Sequence, residues 1–118
     1  MTSDNNTQEK PKKCLPCAGL GSAMELDMVM HALTELHSDW TLVETPQHTI
    51  KRTFQFKGYR HAMMFTNAVA WIADQQGHHP DMSISYNQVD VSFTTHDLGG
   101  LTQNDFICAG EVDRLSHA

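Results

Sequence analysis

A chain of 118 residues, 40% hydrophobic and 19% charged, has room for one domain with a modest core. Its formal net charge of −6, histidines taken as neutral, argues against a nucleic-acid backbone or an anionic membrane as main partner, because both demand clustered Lys and Arg. No apolar run approaches the ~18 residues of a membrane span, and the polar start MTSDNNTQEKPKK lacks the apolar stretch of a secretory signal, so a soluble cytoplasmic protein is expected.

Residues 1–19 read as a flexible N-terminal arm and 20–118 as the folded domain. The arm carries Cys14 and Cys17 as C-x-x-C, which is half of a zinc site or a redox pair. Only Cys108 remains to extend a zinc set, and no strand precedes the pair as it would in a thioredoxin-like motif. A lightly packed arm without such a role is the competing reading. Cys108 itself reads as a small core residue.

The segment SAMELDMVMHALTELHSDW predicts the first helix. Ser22 and Glu25 form an S-x-x-E capping box at its start. Met24, Met28, Ala32 and Leu36 then recur every four residues beside Val29 and Leu33, which makes one apolar face. The runs 40–44 and 49–56 predict an antiparallel hairpin turned at Pro46, with Ile50, Phe54 and Phe56 on one face. Lys51 and Arg52 interrupt that alternation and leave the register open. A second helix is expected from Tyr59 to about Gln76. Tyr59, Ala62, Met63, Thr66, Val69, Ala70 and Ala73 share one side, and Phe65, Ala68 and Ile72 form a second stripe. Gly77 suits the left-handed position after a helix, and Pro80 cannot continue it.

MSISYNQVDVSFTT alternates with a change of parity at Asn87-Gln88. It predicts two strands with a tight turn there, or one bent strand. After the loop HDLGG, Thr102 and Asp105 form a T-x-x-D box, with Leu101 and Phe106 as a hydrophobic staple, and the last helix runs to about Leu115. The fold expected is α+β: a four-stranded antiparallel sheet with three helices packed on one face, in the order α-β-β-α-β-β-α.

His78 and His79 follow directly on a helix end, and His96 follows a strand end. Asp74 stands one helical turn before His78 and is placed to hold an imidazole. Adjacent histidines diverge and no H-x-x-x-H spacing occurs, so no metal site is expected. No Ser or Cys stands beside them as a nucleophile. Two readings remain: exposed polar histidines, or acid–base chemistry without a covalent intermediate.

Asp74, His78, His79, Pro80, Tyr86, His96 and Asp105 together resemble the spaced signature of the pterin-4a-carbinolamine dehydratase family, and THDLGGLT (95–102) is similar to that family's wording. The resemblance runs from about residue 20 to the end and includes Trp40; the CLPC arm resembles an extension found in some members. It implies dehydration of a 4a-hydroxytetrahydropterin to quinonoid dihydropterin plus water, in recycling the pterin of aromatic amino acid hydroxylases. It implies His78, His79 and His96 as the catalytic residues, His79 mainly orienting the pterin. It implies substrate contacts by Asp74, Pro80, Thr95, Asp97 and Leu98. Asp105 is expected to act as a helix cap. No metal or redox cofactor is implied, and a homodimer or homotetramer is. The alternative is a dehydratase-like binding module, an assembly factor or dimerisation cofactor with little or no catalysis.

Overall fold

The computed structural model describes residues 13–116, apart from the Cys17 side chain. Among these residues lie three α-helices and four strands in the expected order: α1 (Leu26–Leu33), β1 (Thr41–Val43), β2 (Thr49–Gln55), α2 (Tyr59–Gln76), β3 (Asp81–Ser85), β4 (Gln88–Phe93) and α3 (Gln103–Ser116). The strands form one antiparallel sheet in the order β1-β2-β4-β3.

The sheet's two faces follow from the period of two. Val89, Val91 and Phe93 of β4 point inward and pair with Phe54, Arg52 and Ile50 of β2. Val29 of α1, Ala62, Phe65 and Val69 of α2, and Ala109 and Val112 of α3 join them in one cluster, so all three helices cover the same face. Each large apolar side chain fully buried there contributes about 1.5–3 kcal/mol. The other face carries Lys51, Thr53, Gln55, Gln88 and Asp90, joined by bonds such as Thr53 Oγ1 to Asp90 Oδ1 at 2.6 Å.

The interruption at Lys51-Arg52 is resolved by Arg52. It takes a core-face position between Ile50 and Phe54. Its guanidinium lies 4.3 Å from the Phe54 ring centroid and donates to Asp113 Oδ1 of α3 at 2.7 Å. Trp40 Nε1 donates to the same carboxylate at 2.9 Å. A long arginine stem can lie in an apolar layer when its head has an aromatic face and an acid to meet.

Several expectations need correction. The box at Ser22–Glu25 is not made: α1 starts only at Leu26, and Glu25 caps it without a side-chain bond. Met24 N–H instead donates to Leu101 O at 2.8 Å, which holds the preceding chain against the entry to α3. α1 also ends at Leu33, so Met24 and Leu36 lie outside it. The fully buried residue is then Val29, while Met28 is 55% exposed. On α2, Tyr59 and Ala70 face out, and Phe65 of the second stripe is buried with Ala62 and Val69. The β3–β4 turn falls at Tyr86-Asn87, one residue earlier than the parity change suggests. β3 is an edge strand, so Ile84 and Tyr86 stay exposed.

Candidate active site

Three chain ends converge at one end of the core. α2 closes in a Schellman motif: Gly77 is left-handed (φ 67°), its N–H reaches Asp74 O at 3.3 Å, and His78 N–H reaches Ala73 O at 3.2 Å. That double closure satisfies the carbonyls of Ala73 and Asp74 and sends His78 back towards the sheet. β4 runs out through Thr94 and Thr95. Thr95 N–H donates to Gly100 O at 2.8 Å, which closes a small loop carrying His96 and Asp97. α3 then begins with Asp105 in its first turn.

The centre of the site is a buried pair. His78 Nε2 lies 2.6 Å from Asp105 Oδ1; the Asp105 side chain is 0% exposed and that of His78 is 11%. The second carboxylate oxygen accepts from Thr95 Oγ1 at 2.8 Å and from Thr102 N–H at 2.9 Å. Since the Thr95 hydroxyl proton goes to Asp105, the 2.8 Å contact between Thr95 and Thr102 oxygens is a bond donated by Thr102. A buried carboxylate persists only when its oxygens are met in this way. The His78 ring also stacks on Phe93, centroids 6.1 Å apart with planes at 10°. The hydrogen bond to Asp105 holds the imidazole pKa above its ordinary value; burial opposes this, and the Asp105 charge reinforces it.

A cleft of ≈ 240 Å³ opens beside the pair, lined by Gly77, His78, His79, Thr94, Thr95, His96 and Asp97. His79 is exposed, whereas His78 is half-buried. His96 Nε2 lies 4.0 Å from Asp81 Oδ2, with both side chains exposed (72% and 80%). A larger hollow of ≈ 510 Å³ lies near Met24 and Met28, but Glu25 is the one ionisable side chain on its wall. Among the described residues no group of three or more His, Cys, Asp or Glu side chains is placed to hold a metal ion. None of the described helices is long and apolar enough to cross a membrane.

Of the residues singled out from sequence, His78, His79, His96, Thr95 and Asp97 line this cleft. Pro80 and Leu98 are half-buried beside it and are not on its wall. Asp74 is exposed on the last turn of α2, and the acid that holds His78 is Asp105. Asp105 is a cap as expected, through Thr102 N–H, yet the same carboxylate grips the histidine with its other oxygen. Sequence reasoning missed that second role. The available signal was that Asp105 shares a spaced set with the histidines, which a cap alone does not require. Where the arm is described, Cys14 N–H donates to Gln76 Oε1 at 2.8 Å, and Leu15 N–H to Asn104 Oδ1 at 2.9 Å.

Residues 22–115 match the profile of the family described as "Pterin 4 alpha carbinolamine dehydratase". A relative from Legionella pneumophila (strain Lens), named "Putative pterin-4-alpha-carbinolamine dehydratase", is 44% identical over 98% of this chain and 97% of its own. A relative of the same name from Nitrosomonas eutropha is 46% identical over 88% of this chain and 89% of its own. Among solved structures, a "transcriptional coactivator/pterin dehydratase" from Brucella melitensis superposes with a TM-score of 0.74 at 30% identity, covering 80% of this chain and 98% of that one. A pterin dehydratase-like RuBisCO assembly factor of the α-carboxysome shares the fold, with a TM-score of 0.58 at 23% identity over 70% of this chain and 94% of its own. Through a match that spans the whole sheet and every histidine of the cleft, the chain belongs to the pterin-4-alpha-carbinolamine dehydratase family.

Proposed function

We propose that the protein dehydrates a 4a-hydroxytetrahydropterin to quinonoid dihydropterin and water by histidine acid–base catalysis. The observation that carries this reading is one imidazole clamped to a buried carboxylate in a cleft shared with two exposed imidazoles. In the reaction the C4a–O bond breaks, the hydroxyl leaves with an added proton as water, and N5 gives up its proton. Only protons and water move, so no redox cofactor enters the balance. One group must donate a proton and another must accept one, and such assistance is worth about 10²–10⁴-fold.

His78 suits the donor's part, because Asp105 keeps its proton on to higher pH than an ordinary imidazole would. With Nε2 committed to Asp105, Nδ1 is the nitrogen left to exchange a proton with the pterin. His96 is the acceptor at N5, and His79 binds and orients the ring. Thr95 and Asp97 form the pterin's bed from the loop, and Pro80 fixes the turn that carries the histidine pair. The substrate comes from an aromatic amino acid hydroxylase in the cytoplasm, and the enzyme works as a homodimer or homotetramer.

The test adds the purified protein to a hydroxylase assay and follows the absorbance of the 4a-hydroxy intermediate. Faster decay is expected, with His78→Ala and His96→Ala each slowing it while circular dichroism stays native. Unchanged decay with both variants would sink the reading. Absent activity together with stoichiometric recovery of a protein partner would favour a binding module instead.

A further inference from the structure

The arm brings a thiol to the back of the site. Cys14 is fixed by its own bond to Gln76 and by the two-way pairing of Leu15 with Asn104, whose Nδ2 donates to Leu15 O at 2.7 Å. This places Cys14 Sγ 3.4 Å from Cys108 Sγ and 3.7 Å from Asn104 O. Cys108 is fully buried on α3, and its Sγ lies 4.0 Å from the carbonyl oxygen of His78. Two thiols that are 94 residues apart in sequence therefore touch, directly behind the backbone that carries His78 and one turn from Asp105.

We propose that Cys14 and Cys108 are a reversible oxidation site, forming a disulfide with a hydroperoxide as oxidant and locking the N-terminal arm onto α3. Cys14 is the reacting member because it is half-buried while Cys108 is enclosed. Its thiolate sulfur attacks the peroxide oxygen; the O–O bond breaks, one oxygen leaves as water after taking a proton, and Cys14 becomes a sulfenic acid. The Cys108 sulfur then attacks that sulfur. The S–O bond breaks, and the hydroxyl leaves as a second water with the Cys108 proton. Two thiols lose two electrons and the peroxide gains them. A dithiol reductant returns both electrons by exchange.

The local electrostatics favour this division of labour. The bond from Cys108 holds the Cys14 thiol below its ordinary pKa, against its partial burial, and the nearby His78 imidazolium assists. The same partner and the enclosed position push Cys108 upward, which keeps it protonated until Cys14 is oxidised. For the bond to form, the sulfurs close from 3.4 Å to about 2.05 Å.

The experiment treats the full chain with stoichiometric hydrogen peroxide, alkylates free thiols, and maps peptides without reduction. A Cys14–Cys108 linked peptide, two hydrogens lighter than the sum and abolished by dithiothreitol, is expected. Cys17→Ser should keep the link. Cys108→Ala should lose it and leave a Cys14 sulfenic acid that dimedone traps. A Cys14–Cys17 link alone, or Cys108 recovered fully alkylated from the Cys17→Ser protein, would overturn the proposal. These results do not depend on dehydratase activity.

Discussion

The two walls of the cleft are built differently. On one, His78 is gripped by a fully buried carboxylate that is itself met by Thr95 and Thr102. On the other, His96 has a 4.0 Å contact with an exposed acid, and His79 is exposed beside it. The first wall is pre-organised: its imidazole is oriented by Asp105 and Phe93, and the carboxylate raises its pKa above the ordinary value. The second has no buried partner: its imidazoles are exposed to solvent. Under the proposed dehydration, the fixed imidazole is the proton donor and the open ones meet the substrate.

The largest effect should come from cutting the clamp. Asp105→Asn removes the charge that sustains the His78 proton, so the dehydration rate at neutral pH should fall by about 10²–10⁴-fold. The alkaline limb of the kcat/KM profile should move to lower pH. A uniform loss with an unmoved profile would mean that Asp105 only supports the fold. Next in size, Thr95→Val takes one donor from the buried carboxylate and should cost about 1–3 kcal/mol in urea unfolding. His96→Ala, on the open wall, should change stability by no more than about 0.5 kcal/mol while slowing the reaction. If those two stability costs came out equal, the contrast between the walls would fail.

The clamp also has a pH signature. The folded-state pKa of His78 is raised, so its contribution to stability is complete below the unfolded imidazole value of about 6.5. It is lost as the pH rises through the higher folded value. Unfolding free energies of the native protein and Asp105→Asn should therefore converge on the alkaline side. Smallest of all, Asp81→Asn breaks only the long, exposed contact to His96 and should shift stability by no more than about 0.5 kcal/mol.

Much of this architecture is legible in the residues, for local reasons. Gly77 and Pro80 end α2 because one supplies a left-handed cap and the other forbids continuation. Val89, Val91 and Phe93 alternate because one face of β4 is buried. What escaped reading is long-range. The Ser22–Glu25 box is a sound local pattern, yet Met24 N–H finds Leu101 O, a partner 77 positions away that no window displays. Arg52 breaks the apolar alternation on paper but not in space, since Phe54 and Asp113 receive it. Asp105 satisfies its cap with one oxygen and His78 with the other. The cap is visible in four consecutive residues, whereas the histidine lies 27 residues upstream. The contact between Cys14 and Cys108 is of the same kind, because nothing near either cysteine announces the other.

The bond between His78 and Asp105 joins the exit of α2 to the entrance of α3. It can exist only when both helices are seated on the sheet at once. A partly folded chain that kept the central strands but released α3 would drop the imidazole back to its ordinary titration. The ring proton resonances of His78 are thus an internal gauge of assembly: they report, through acidity alone, whether the last helix has docked.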